Sequence, residues 1–279
     1  MKKIHVNDIK ETIAKLSIKA CVEVAPDIRE YMKNALGIEM GIAKQVLQDM
    51  ITNQEVATEK RMPICQDTGM VVVFLEIGQD VHVFGGSLEE AIQEGVRKGY
   101  EDGYLRKSVV ADPINRVNTK DNTPAVVHYK IVAGDEIKII VSPKGFGSEN
   151  MSRLKMLVPA QGIDGVTDFV IETVKLADSN ACPPIIVGVG VGGTFDYAAV
   201  MAKEALLRKI GSKHPNEYWA GIEQELLTKI NATNIGPAGF GGITTAMAVH
   251  INTYPTHIAG LPVAVNIGCH VNRHEEAVL

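Results

Sequence analysis

Between residues 163 and 209 the chain changes its hydrophobic period twice, and that change limits the folds open to it. Residues 163–177 read as a helix, residues 184–191 as a short β-branched strand, and residues 196–209 as a second helix. Strands this short, set between helices, predict a mixed α/β core. The same contrast runs through the rest of the sequence. Ile9, Ile13, Leu16 and Ala20 recur at spacings of three and four, which predicts an amphipathic helix from residue 7 to about 23. Residues 27–52 repeat the pattern with Met32, Leu36, Met40, Ile42, Val46 and Met50, so residues 1–60 form a mainly helical subregion. Residues 70–77 are an apolar, β-branched run and read as a buried strand. Ser87-Leu88-Glu89-Glu90 is a capping signal for a helix to about residue 102. Residues 125–132 and 136–141, separated by Ala133-Gly134-Asp135, predict a hairpin. A helix over 216–230 and a strand over 261–267 complete the pattern. The fold class is mixed α/β, a helical N-terminal segment followed by strands and helices with glycine-rich turns. No repeat or linker divides it, so one domain over 1–279 is expected.

The chain has 279 residues, 46% hydrophobic and 22% charged, which suits a soluble domain with a sizeable core. A net charge of −5 argues against a general nucleic-acid partner. No apolar run of about 18 residues predicts a membrane span. The start, Met1-Lys2-Lys3-Ile4-His5-Val6-Asn7-Asp8, has no apolar signal stretch, and a cytoplasmic location is expected. In a reducing compartment Cys21, Cys65, Cys182 and Cys269 are not structural disulfides. They are core residues, reactive thiols or metal ligands.

Cys21 falls on the first helical pattern and reads as a buried small hydrophobe. The other three stand at element junctions. Cys65 lies in Pro63-Ile64-Cys65-Gln66-Asp67-Thr68-Gly69 before a strand, and Cys182 in Ser179-Asn180-Ala181-Cys182-Pro183-Pro184 between a helix and a strand. Cys269 follows a strand, in Asn266-Ile267-Gly268-Cys269-His270. Junctions of this kind are where sites are built. The wide intervals match no compact ferredoxin or zinc pattern, so spacing alone leaves unrelated thiols open. The count is suggestive, because three ligands would leave one iron of a cluster free to act as a Lewis acid.

Gly188-x-Gly190-x-x-Gly193 follows a strand and raises a rival, a dinucleotide loop. Such a unit needs a second strand ending in Asp or Glu about 20 residues on. The sequence gives Arg208-Lys209-Ile210-Gly211-Ser212-Lys213-His214-Pro215 instead, which is no strand. Two more glycine-rich turns, around Gly145-Phe146-Gly147 and from Gly236 to Gly242, suggest close backbone approach to an anion.

These stretches resemble the iron–sulfur (class I) fumarate hydratase and L-tartrate dehydratase family, at its α subunit or N-terminal domain. The resemblance rests on Cys65-Gln66-Asp67-Thr68-Gly69, Leu105-Arg106, Asp112-Pro113, Asp121-Asn122-Thr123-Pro124 and residues 144–150. It continues through Ala181-Cys182-Pro183-Pro184, residues 188–193, Thr256-His257, Leu261-Pro262 and Gly268-Cys269, in the family's order. It implies a 4Fe–4S cluster held by Cys65, Cys182 and Cys269, with the fourth iron open to substrate. It also implies reversible hydration of fumarate to L-malate, or the L-tartrate reaction. Gln66, Arg106 and Gly147 match substrate-binding positions, and Asp67 and His257 match catalytic ones. Arg106 can bind a carboxylate through its planar fork, Asp67 can orient a hydroxyl or shuttle a proton, and His257 can transfer one near neutral pH. Bland readings stand beside these: a surface arginine, a turn-capping aspartate and a structural histidine. His270 and His274 fit no zinc pattern with Cys269. The chain shows no match to the second domain of single-chain relatives, so a separate β subunit and a hetero-oligomer are expected. A non-catalytic iron–sulfur or redox-sensing protein is the alternative from another class.

Overall fold

The computed structural model describes residues 2–279. In chain order the elements are β1 (Lys2–His5), α1 (Val6–Val22), α2 (Pro26–Ile38), α3 (Gly41–Lys60), β2 (Met70–Gly78), β3 (Val81–Phe84) and α4 (Leu88–Asp102). Then come β4 (Val126–Val132), β5 (Ile137–Lys144), α5 (Phe146–Glu149), β6 (Arg153–Leu157), α6 (Gly162–Ala177) and β7 (Ile185–Gly192). The last are α7 (Phe195–Ala205), α8 (Glu217–Asn231), β8 (Ala246–Tyr254), β9 (Leu261–Gly268) and β10 (Glu275–Val278). The class is mixed α/β, as the sequence predicts. No helix of the described residues is long and apolar enough to cross a membrane.

Contacts divide the chain into two compact units. The first holds the described residues up to Ala25, Asn53–Phe146 and Arg273–Leu279, and the second holds Pro26–Thr52 and Gly147–Asn272. In the first unit a four-stranded sheet runs β10-β5-β2-β4. Its inward face carries Val71, Val73, Leu75, Ile137, Ile139 and Val141, all buried, and α1 covers it with Ile9, Ile13 and Leu16. Burying each such side chain stabilises the fold by about 1.5–3 kcal/mol. Helix α1 lies so close to α4 that a Cβ at Gly95 would sit 2.7 Å from the Lys10 carbonyl.

The expected hairpin over 125–141 does not form. Both strands exist, but β2 lies between them, parallel to β4 and antiparallel to β5. The end of β2 captures the hairpin turn: Gly78 N donates to Glu136 O, and Asp80 N to Gly134 O. A β-branched central strand with two pairing edges outcompetes a three-residue turn for those hydrogen bonds. The helical pattern of 27–52 also breaks in two. The Glu39 side chain is buried and accepts the Thr244 N–H at 2.6 Å, and Gly41 turns the chain at φ +57°. Helix α3 then runs on to Lys60.

The second unit has a sheet of order β6-β9-β7-β8. Strand β7 is parallel to β8 and antiparallel to β9. Helices α6 and α8 bury Val170, Val174, Leu226 and Ile230 against Val187, Val189, Val265 and Ile267. Helix α7 packs on the other face through Ala198 and Ala202. There the rival glycine motif finds its physical reason. Gly188 and Gly190 lie inside β7, and a Cβ on either would sit 2.1 Å from a carbonyl of α7, at Ala202 or Ala198. They admit a helix, not a phosphate.

Candidate active site

In the first unit the loop from Cys65 to Gly69 joins α3 to β2 and is fastened from beneath. The Tyr100 hydroxyl donates to Thr68 O at 2.6 Å and Gly69 O at 3.1 Å, and Asn122 Nδ2 donates to Gly69 O at 3.1 Å. Gly69 sits at φ +79°, and a Cβ there would lie 2.7 Å from the Lys144 backbone. Only glycine allows the loop to lie on the end of β5. Asp67 is drawn into this framework: Oδ1 accepts the Gly69 N–H at 2.9 Å and Oδ2 the Phe146 N–H at 2.8 Å. Both carboxylate oxygens therefore hold backbone, as a turn-capping aspartate does. Gln66 is exposed, and the half-buried Cys65 thiol donates to its Oε1 at 3.3 Å.

Arg106 is brought to this loop. Its carbonyl accepts the Thr68 hydroxyl at 2.9 Å, while its side chain is exposed. Asn122, fully buried at φ +63°, joins the two segments, because its Oδ1 accepts Ser108 N at 2.7 Å and Val109 N at 3.2 Å. Arg97 holds the far end of the segment through Asp121 at 2.9 Å, and that pair with the Thr123 bonds takes the Asp121 carboxyl down to about 2 against partial burial. Cys65, Gln66, Asp67 and Arg106 thus share one platform.

Beneath the platform lies Cys21. It is fully buried in α1, and burial pushes its thiol up to about 11, which keeps it protonated and inert. The sequence reading of Cys21 as a core residue fits this placement.

In the second unit Cys182 and Cys269 come from adjacent strand ends. Gly268 stands opposite Ile186, so the chain leaves β9 beside the point where Cys182 leads into β7. His270 N donates to Cys182 O at 3.2 Å. Cys182 adopts the left-handed conformation, φ 52° and ψ 64°, which leaves its side chain exposed on the turn. The turn from Gly236 to Gly242 supports it from behind. Ala238 N donates to Pro183 O at 2.8 Å, and a Cβ at Gly239 would be 2.4 Å from Ser179 Cβ. That glycine-rich turn packs on protein. Gly147 belongs to the cysteine end as well, since its open Cα faces the Asn180 carbonyl, 3.6 Å from where a Cβ would be.

His257 does not join them. Tyr254 pairs with Gly192 at the far end of β7, and His257 turns the chain into β9 there, bonded through its Nδ1 to Ala259 N. The six residue steps from Ile186 to Gly192 separate the two ends by about 20 Å. A cleft of about 680 Å³ along the β8 edge, lined by Tyr31, Lys213, His214 and His250 among others, holds none of the cysteines.

Among the described residues, no group of three or more His, Cys, Asp or Glu side chains is set to hold a single metal ion. A cluster asks for something different, with thiolates on separate irons. The chemistry of the donors fits that demand. Cys65, Cys182 and Cys269 are in no disulfide and reach solvent at turns, unlike Cys21. The sequence reading missed Tyr100 and Asn122 as supports. Asn122 lay in plain view in Asp121-Asn122-Thr123-Pro124, but only its positive φ reveals its purpose.

The family profile described as Fumarate hydratase (Fumerase) matches residues 10–278. A Methanocaldococcus jannaschii protein named "Putative L(+)-tartrate dehydratase subunit alpha" is 42% identical over 272 residues, covering 95% of each chain. The L(+)-tartrate dehydratase subunit alpha of Escherichia coli K12 is 33% identical over 273 residues, 96% of this chain and 89% of its own. That of Shigella boydii serotype 4 matches to the same extent.

Proposed function

Because the chain belongs to the fumarate hydratase (Fumerase) family, we propose that it is the α subunit of an iron–sulfur hydro-lyase interconverting L-malate and fumarate. The observation that carries this reading is the match along nearly the whole chain, joined to three thiols at turns where the fold could have buried them. Cys65, Cys182 and Cys269 are the proposed ligands of a 4Fe–4S cluster. When bound, that cluster supplies an open iron, a Lewis acid that makes hydroxide a workable leaving group.

The chain's own residues do the rest. In the dehydration direction the C2–O bond breaks, a proton leaves C3, and the double bond forms between them. The Arg106 guanidinium binds one substrate carboxylate through two parallel N–H bonds. Gln66 offers an amide beside it, and Asp67 fixes the turn that presents Gln66. Gly147, without a side chain, leaves room for substrate at the turn before β6. His257 is carried by the resemblance alone. Its place at the other end of the sheet means that a part in proton transfer requires a site completed by another subunit. The names of the relatives as α subunits support a β-subunit partner.

Those same names favour a second reading, L(+)-tartrate as substrate, which differs from malate by one hydroxyl at C3. Competing turnover decides it. The chain reconstituted anaerobically with its β subunit is expected to show a higher kcat/KM for L-malate and fumarate than for L(+)-tartrate. The reverse order makes it a tartrate dehydratase, and turnover of neither rejects the hydro-lyase reading.

A further inference from the structure

Arg273 is 7% exposed, a charged side chain buried in the first unit. Its Nη1 donates to the Asp67 carbonyl at 2.5 Å, and its own carbonyl accepts the Ser142 hydroxyl at 3.1 Å. A Cβ at Gly145 would stand 3.0 Å from Arg273 Nη2 and 3.2 Å from Asp67 Oδ2. The guanidinium, the Asp67 carboxylate and Gly145 therefore meet at one point, and the missing side chain of Gly145 leaves the room they need. Burying a cation is costly unless its bonds are met, so packing alone would favour a neutral residue here.

We propose that Arg273 is a positioning residue for the Asp67–Thr68 peptide, whose carbonyl it holds, keeping that segment in the conformation that presents Gln66 and Cys65. This rests on the hydro-lyase reading of the same loop. Asp67 is bonded on three sides: its carboxylate by two main-chain N–H groups, its carbonyl by Arg273. Of these only Arg273 is charged, and it is the most remote in sequence, 206 positions from Asp67. Its removal frees the peptide to rotate while Tyr100 and Asn122 still hold Thr68 and Gly69. On the chain Arg273 follows Cys269 by four residues.

The test uses the reconstituted complex carrying Arg273→Ala, Arg273→Lys or Gly145→Ala. Arg273→Ala is expected to lower kcat/KM roughly 100-fold, the effect of misplacing a site group by about 1 Å. Guanidinium ion added to that variant is expected to restore activity at least about tenfold, and methylammonium is not. Gly145→Ala, which crowds the same contact without removing it, is expected to lower kcat/KM in the same direction. Hydrogen exchange of the peptide spanning residues 64–72 gives a readout free of activity, and it is expected to quicken in Arg273→Ala. Unchanged exchange overturns the proposal, as does kcat/KM within twofold of wild type. Lost activity that guanidinium does not restore, together with a lowered melting temperature, makes the residue merely structural and also overturns it. A wild-type complex without turnover rejects the hydro-lyase reading separately, and the exchange data still decide the role of Arg273.

Discussion

The main-chain N–H of His270 donates to the carbonyl oxygen of Cys182 at 3.2 Å, so the residue after Cys269 is bonded to Cys182 itself. Two thiols 87 positions apart in sequence are thereby carried on neighbouring turns of one unit. Replacing Cys65, Cys182 or Cys269 by Ser is expected to lower iron and sulfide content after anaerobic reconstitution. Cys21→Ser, at a buried site in α1, is expected to retain it. Full loading of Cys182→Ser would remove that residue from the ligand set.

Arg106 contacts the Cys65 loop through its backbone and leaves its guanidinium exposed. Arg106→Ala is therefore expected to raise KM for the dicarboxylate by about tenfold or more, the loss of a charge-assisted pair. Cluster content and melting temperature should hold. An unchanged KM rejects its carboxylate role.

Two glycines offer opposite outcomes. Gly69→Ala forces a side chain into φ +79° and to within 2.7 Å of the Lys144 backbone, and is expected to cost about 2 kcal/mol or more. Gly221, inside α8, has nothing within 4 Å of an added Cβ, and Gly221→Ala is expected to gain about 0.5–1 kcal/mol. Urea unfolding of both variants checks the pair. Equal effects would contradict the close approach of the Gly69 loop to β5.

His250 is buried in β8, its Nδ1 3.2 Å from the Ala205 carbonyl, and burial lowers its pKa from 6.5 to about 4, helped by nearby Arg208 and opposed by Glu223. Between those values the unfolded chain binds a proton that the folded chain does not. Stability is therefore full above about pH 6.5 and falls as pH drops towards 4. The contribution is on the order of 3 kcal/mol at most. His250→Asn, which keeps a donor for Ala205, is expected to flatten that slope in urea titrations at pH 4 to 7. An identical slope would show that other groups carry it.

Most elements were legible because their hydrophobic periods were clean. Helices α1, α4, α6 and α8 and strands β2, β7 and β9 lie within a few residues of their sequence positions. Pairing was not legible. Whether β4 meets β5 or β2 depends on which strand wins the hydrogen bonds of the Gly134 turn, a contest between distant residues. Glu39 broke a continuous helical pattern because its partner, the Thr244 N–H, is 205 positions away. At the site, the thiols and Arg106 were visible as residue types in turns. Tyr100, Asn122 and Arg273 were not, because a supporting side chain has no signature until its partner is placed beside it.

The most direct measurement is EPR of the dithionite-reduced complex of this chain with its β subunit, reconstituted anaerobically, with and without L-malate. The expected result is a 4Fe–4S signal that shifts when L-malate is added, because substrate binds an iron left open by three cysteine ligands. A cluster signal unmoved by malate, fumarate and tartrate, or no cluster at all, would contradict it.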